Sequence, residues 1–228
     1  MYLANANTVK EKTMEKKRKT KYLTGAGLLL AFGVWTALVR LVDVRAIGPL
    51  GSRVGFAAWN GAVHRFVGVN FTLYTVTDWL GLVPIAVALG FAALGLLQWI
   101  RRRSLSRVDP DLLALGVLYV AVAAVYLFFE GVVINCRPVL IDGALEASYP
   151  SSTTLLALCV LFTAMIQFRH RIRNIPLRRC VLLLLAALAA FLWIGRFLSG
   201  VHWVTDIVGS TLFSAAAVTL YGASAKSE

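Results

Sequence analysis

Charge is what this sequence has least of. Only 15% of its 228 residues are Asp, Glu, Lys or Arg, while 59% are hydrophobic and the mean hydropathy is +0.75; an average soluble domain carries about 25% charged and about 45–50% apolar residues. The apolar residues fall in long runs almost free of charge, which excludes a soluble α/β enzyme and a disordered chain. Cysteine is scarce as well. Cys136, Cys159 and Cys180 are an odd number, two of them inside or at the edge of apolar runs, so a disulfide framework is excluded and they read as small core residues.

Six apolar segments are long enough to cross a bilayer, at about 22–42, 80–100, 112–134, 151–168, 180–197 and 203–225, since a spanning helix needs about 20 residues. The first reads as an anchor, because it is too long for a signal-peptide core and no Ala-x-Ala-like site follows before Arg40. The expected fold class is therefore all-α, a polytopic membrane protein of six transmembrane helices. A basic cytoplasmic tail, 1–21, precedes one membrane domain, 22–225, and a short tail, 226–228, ends the chain.

The net charge of +12 has a topological pattern. The N-terminal stretch, the loops 101–107 and 169–179 and Lys226 hold 17 of the 23 Lys and Arg. By the positive-inside bias these segments and both termini belong in the cytoplasm, and the other loops outside. Nucleic-acid binding is disfavoured, since the basic tail has no interleaved aromatics and abuts a span. Between the first two spans Phe56, Trp59, Val63, Phe66 and Val67 recur at helical spacing, with Arg53, Asn60 and His64 on another face; this predicts a short helix in the outer membrane interface. Trp79, Trp99, Trp193 and Trp203 read as belt anchors, His64 as an ordinary interfacial residue, and His170, Asp142 and Glu146 as solvated loop residues.

Ionisable groups beside spans mark function or pairing. The predicted topology brings Glu130, Arg137, Arg196, His202 and Asp206 to one face of the bilayer, with Ser151, Ser152 and Thr153 at the start of the fourth span at the same level. Two guanidiniums match phosphate oxygens as planar forks, and a helix start adds backbone N–H groups for an anion. His202 and Asp206 stand four apart, so the carboxylate is expected to accept the Nδ1 proton and leave Nε2 free to attack phosphorus. Glu130 lies seven residues before Arg137, two turns along one face if the helix persists, and would then neutralise that arginine.

These residues resemble the type-2 phosphatidic acid phosphatases, the integral-membrane branch of the superfamily that includes the vanadium haloperoxidases. The third family signature, Ser-Arg, five residues, His, three residues, Asp, is matched from Gly195-Arg196 through His202 to Asp206 in all but the first serine. Pro150-Ser151-Ser152-Thr153 stands for Pro-Ser-Gly-His, and Glu130 with Arg137-Pro138 for Lys, six residues, Arg-Pro. The resemblance implies a lipid phosphatase of bacterial plasma-membrane type with its site at the outer leaflet and no metal or other cofactor. His202 would be the nucleophile, with Asp206 and Arg196 completing the catalytic set. Arg137, Arg196, Ser151, Ser152 and Thr153 would hold the phosphate of phosphatidic acid, a prenyl diphosphate such as undecaprenyl diphosphate, or phosphatidylglycerol phosphate.

Two positions depart from the family. Glu130 replaces a phosphate-holding lysine and Thr153 a histidine that protonates the leaving oxygen, so phosphate binding weakens and about 10²–10⁴-fold of acid catalysis is missing. Diphosphate cleavage suffers least, because phosphate leaves as a weaker base than an alkoxide. The alternative reading is a catalytically silent relative that binds lipid phosphates or scaffolds a membrane enzyme. The expected partners are a lipid phosphate and the surrounding membrane lipids; the oligomeric state is open.

Overall fold

A computed structural model describes residues 2–225, with side chains from residue 12 onward. The order is α1 (Tyr2–Leu41), a two-stranded ribbon of β1 (Arg45–Ala46) and β2 (Arg53–Val54), α2 (Ala57–Val67), α3 (Phe71–Leu80), α4 (Leu82–Arg102), α5 (Pro110–Gly131), α6 (Ser152–Arg171), α7 (Ile175–Leu198) and α8 (Val204–Ser224). Among the described residues six helical stretches are long and apolar enough to cross a membrane: Lys12–Leu41, Phe71–Arg102, Pro110–Gly131, Ser152–Arg171, Ile175–Leu198 and Val204–Ser224. The chain is an all-helical integral membrane protein.

Two boundaries differ from expectation for clear reasons. The basic stretch before residue 22 continues the first span as one helix, since no Gly or Pro interrupts it before Gly25 and its lysines and glutamates are good helix formers. The second span starts at Phe71 instead of near 80, because α3, capped by the Asn70 side chain on the Leu73 N–H, leads into α4. Pro84 lacks the N–H that would bond the Leu80 carbonyl, so the helix is interrupted at Gly81. Only glycine fits there: an added Cβ would stand 2.9 Å from the Asp78 carbonyl oxygen and 3.0 Å from Thr153 Cγ2. That close approach sets α3 beside the start of α6. The tail 226–228 lies outside the described residues.

Helices α6 and α8 form the middle of the bundle, half of each span's window being buried. They meet through small and hydroxyl side chains, Cys159 packing with Ala217 and donating to Ser214 Oγ, and Ser210 donating to the Ser151 carbonyl, which allow close packing where lipid supplies no hydrophobic drive. Hydroxyls bond their own helix or the neighbour, as Thr163 does the Cys159 carbonyl and Ser214 the Leu155 carbonyl. Phe32 of α1 packs edge-on against Phe129 and Phe213, tying α1 to α5 and α8. The three cysteines are free; Cys159 is buried as expected, whereas Cys180 is exposed on α7.

The segment 132–151 is folded back on itself. Asp142 and Gly143 both have positive φ, the conformation that an Asp-Gly hairpin turn needs, and Ile141 pairs with Ala144 and Cys136 with Ala147 across it. The stretch predicted to lie in the interface is helical, α2, with Phe66 92% exposed, but its polar side is turned to protein. Asn60 is buried, donating to the Gly55 carbonyl and to Thr205 Oγ1 at the head of α8.

Candidate active site

His202 lies in the five-residue link between α7 and α8. It is buried, and its ring hydrogen bonds fix the tautomer. Arg137 Nη1 lies 3.2 Å from Nε2, and a guanidinium only donates, so Nε2 is the unprotonated nitrogen. The proton is then on Nδ1, which donates to the Ser148 carbonyl at 3.1 Å. Burial, then the charges of Arg137 and Arg196, hold the imidazole well below the ordinary histidine range, so the ring is neutral with a lone pair on Nε2.

Asp206 does not make the bond expected of it. Its Oδ2 stands 3.6 Å from Nδ1, too far for a hydrogen bond, and accepts instead from the Trp203 N–H at 3.0 Å, capping α8, while Oδ1 accepts from Asn135 at 3.3 Å. The carboxylate fixes the His202 loop through backbone and acts on the ring through space.

The two arginines both lie near the ring of Tyr74 of α3. Arg196 Cζ is 4.8 Å and Arg137 Cζ 6.0 Å from the ring centroid. Arg196, at the end of α7, is buried; its Nη2 donates to Asp78 Oδ1 at 2.6 Å and to Thr153 Oγ1 at 2.5 Å, and its Nη1 to the Tyr74 carbonyl at 3.5 Å. Its Nε is buried without an acceptor. Arg137 comes from the folded-back segment, where its Nε pairs with Glu146 Oε2 at 2.9 Å and its N–H donates to the Glu146 carbonyl.

Arg137, His202, Ser148, Ser152, Glu130 and Tyr126 share the lining of one small cavity of about 20 Å³, room for a single water. Ser151 is buried, its hydroxyl donating to Thr154 Oγ1, so it makes no side-chain cap on the first-turn N–H groups of α6. Glu130 lines the cavity but is not on a common helical face with Arg137, because α5 ends at Gly131. Arg137 is paired by Glu146 instead, a residue read from sequence as solvated. Trp203, read as a belt anchor, is buried and donates its indole N–H to the Cys136 carbonyl. His64 packs on Trp203 and bonds the Gly200 carbonyl, outside the His202 cavity.

Sequence reasoning missed Tyr74, Asp78, Asn135 and Ser148. For Glu146 the Asp142-Gly143 pair was the available signal, since a hairpin there turns Glu146 back onto Arg137. For Tyr74 and Asp78 the Asn70 cap before Phe71 was the only cue to α3.

The family described as the PAP2 superfamily matches residues 86–226. A solved structure, the first transmembrane PAP2-type phosphatidylglycerolphosphate phosphatase from Bacillus subtilis, is similar in fold with a TM-score of 0.56 at 18% identity, covering 87% of this chain and 93% of that one. No curated protein matches.

Proposed function

The chain belongs to the PAP2 superfamily, and from that premise we propose that it is a membrane lipid phosphatase whose nucleophile is His202. The observation that carries the reading is the state of that ring: neutral, buried, Nδ1–H held by the Ser148 carbonyl and Nε2 unprotonated beside Arg137. In the first step Nε2 attacks phosphorus, forming the N–P bond as the P–O bond to the lipid breaks and the leaving oxygen takes the electron pair. For that attack Arg137 first moves its hydrogen bond from Nε2 to a phosphoryl oxygen, freeing the lone pair, and the orphan Nε of Arg196 supplies a further donor. As the imidazole becomes cationic, Asp206 at 3.6 Å stabilises it. Water then attacks the phosphohistidine, breaking N–P and releasing phosphate.

Thr153 cannot take the acid role, because an alcohol hydroxyl, here accepting from Arg196, is far too weak an acid near neutral pH, so substrates with good leaving groups are favoured: a prenyl diphosphate ahead of phosphatidic acid or phosphatidylglycerol phosphate. The charge bias of the loops supports a site on the outer face with α2 along the interface, and the family resemblance supports a bacterial plasma membrane. A turnover-silent lipid-phosphate binder is favoured by one observation, that both arginines already have carboxylate partners.

Phosphate release from these lipids in detergent, with His202→Ala as the blank, tests the reading. Turnover of the diphosphate that is lost in the variant is expected. No turnover of any lipid phosphate, with binding retained, establishes the silent relative instead. Labelling of a cysteine at Arg173 by an impermeant reagent in intact cells would overturn the sidedness.

A further inference from the structure

We propose that Asp78 is a specificity-determining residue, a built-in counter-anion that holds Arg196 until a substrate phosphate takes its place. The inference rests on the phosphate-site reading above and adds to it a residue outside the matched segment 86–226. The ligand class is a tetrahedral oxyanion, admitted by exchange against a carboxylate and not by filling a bare cationic pocket.

The ion pair is lopsided. The Arg196 side chain is 2% exposed and that of Asp78 is 58% exposed, at 2.6 Å from each other. A guanidinium so buried needs a counter-charge at all times, since an unpaired buried charge is strongly destabilising. Asp78 supplies that charge in the empty site. When it leaves, it swings toward the side on which more than half of its surface is already uncovered by protein, so its release breaks few other contacts.

The surroundings of Arg196 suit such an exchange. Tyr74 lies one turn before Asp78 on the same face of α3 and covers the guanidinium, keeping the fork planar and in place whichever anion it holds. Thr153 shares the same Nη2 and stays bonded to it. The buried Nε has no acceptor, so an incoming phosphate gains a hydrogen bond that the carboxylate does not make, which favours exchange. α3 is itself fixed to the loop before His202 through the Asn70 N–H on the Ser199 carbonyl. The moving part is therefore the Asp78 side chain and not the helix.

Orthovanadate is the probe, titrated calorimetrically into the full chain in detergent micelles. Asp78→Asn should bind vanadate about tenfold tighter, while the empty variant melts below the wild type and saturating vanadate closes that gap. An Asp78 that only positions Arg196 would instead lose affinity and stability together. In the unaltered protein, vanadate should raise the reactivity of the Asp78 carboxyl toward a water-soluble carbodiimide, read by peptide mass spectrometry. Equal or weaker vanadate binding by Asp78→Asn, beside intact wild-type binding, overturns the inference and leaves the phosphate site standing. If the variant does not fold, unchanged carbodiimide reactivity under saturating vanadate overturns it in the same way. No vanadate binding by the wild type or the variant overturns the phosphate-site reading and the inference with it.

Discussion

Helix α6 joins two polar ends of the bundle about 30 Å apart, and they are built on opposite principles. At the Arg171 end, Arg171 bonds Asp109, Asp111 and Gln167, Arg102 and Gln98 also bond Asp109, and Tyr221 bonds Gln167 and the Asp111 carbonyl. Arg171, Arg102, Asp109 and Asp111 each have an opposite charge as partner, and their side chains are 24–42% exposed. At the His202 end a neutral imidazole and two arginines that approach one aromatic ring are buried together, and the Nε of Arg196 has no acceptor. A closed polar knot fastens helices; a buried set with donors left over is arranged for a ligand. Both are polar clusters at helix ends, so composition does not separate them. The completeness of the pairing does.

The comparison breaks most sharply under deletion. His202→Ala should lower turnover on the order of 10⁴-fold or more, the scale for loss of a covalent nucleophile, with the melting temperature little changed. Arg171→Ala should do the reverse. Loss of its charged hydrogen bonds costs about 2 kcal/mol, or about 4–8 °C in a chain of this size, while the rate per folded molecule stays within about twofold because the sites are far apart. Activity and thermal melts on the same two preparations check both. A large rate loss in Arg171→Ala without melting would join the two ends functionally and dissolve the distinction.

Acid should also tell the ends apart. His202 is held below the ordinary histidine range by burial and the two arginines. The unfolded chain therefore takes up a proton below about pH 6.5 that the folded chain does not, and stability falls as pH drops through that point, by up to about 1.4 kcal/mol per pH unit. At the other end the Gln98 amide, then Arg102, hold Asp109 below the usual carboxylate range. Its contribution is complete above about pH 4 and is lost only as pH falls through its lowered folded value. Between pH 6.5 and 4.5 Asp109 contributes no loss, and His202→Gln should remove the imidazole's share of the slope there. An unchanged slope in that variant would mean that the ring is not held neutral.

The spans and the nearness of His202 to Asp206 were legible because each depends on short-range arithmetic, run length in one case and fixed spacing around a helix start in the other. What spacing could not give was who pairs with whom. Asp206 and His202 are four apart as required, yet the ring proton goes to the Ser148 carbonyl, because the folded-back segment brings that backbone closer than the carboxylate. Glu130 was set against Arg137 on the assumption of a continuous helix, and the end of α5 at Gly131 removed the shared face. Asp78 lies in a Thr-rich stretch with no apolar period to mark a helix, and it reaches Arg196 only because Gly81 lets α3 approach Thr153. Partners 118 residues apart leave no local trace.

The finest test of the comparison uses two ion pairs of the same length. Arg102 meets Asp109 at 2.9 Å with side chains 42% and 32% exposed, and Arg137 meets Glu146 at 2.9 Å with 11% and 43%. The largest difference in exposure is that of the arginine. Arg102→Gln should cost about 0.2–1 kcal/mol, and the cost should vanish in high salt, since both charges are within reach of counter-ions. Glu146→Gln removes the partner of a guanidinium that water barely reaches, so its cost of about 1 kcal/mol should persist in salt while vanadate affinity rises, the freed Arg137 fork being open to the anion. Chemical denaturation at low and high ionic strength, with vanadate titration of Glu146→Gln, gives both readings. If the Glu146 effect is screened as fully as that of Arg102 and vanadate affinity does not move, Arg137 is held by its surroundings alone, and the pairing at the His202 end is surface chemistry of the same kind as at the other.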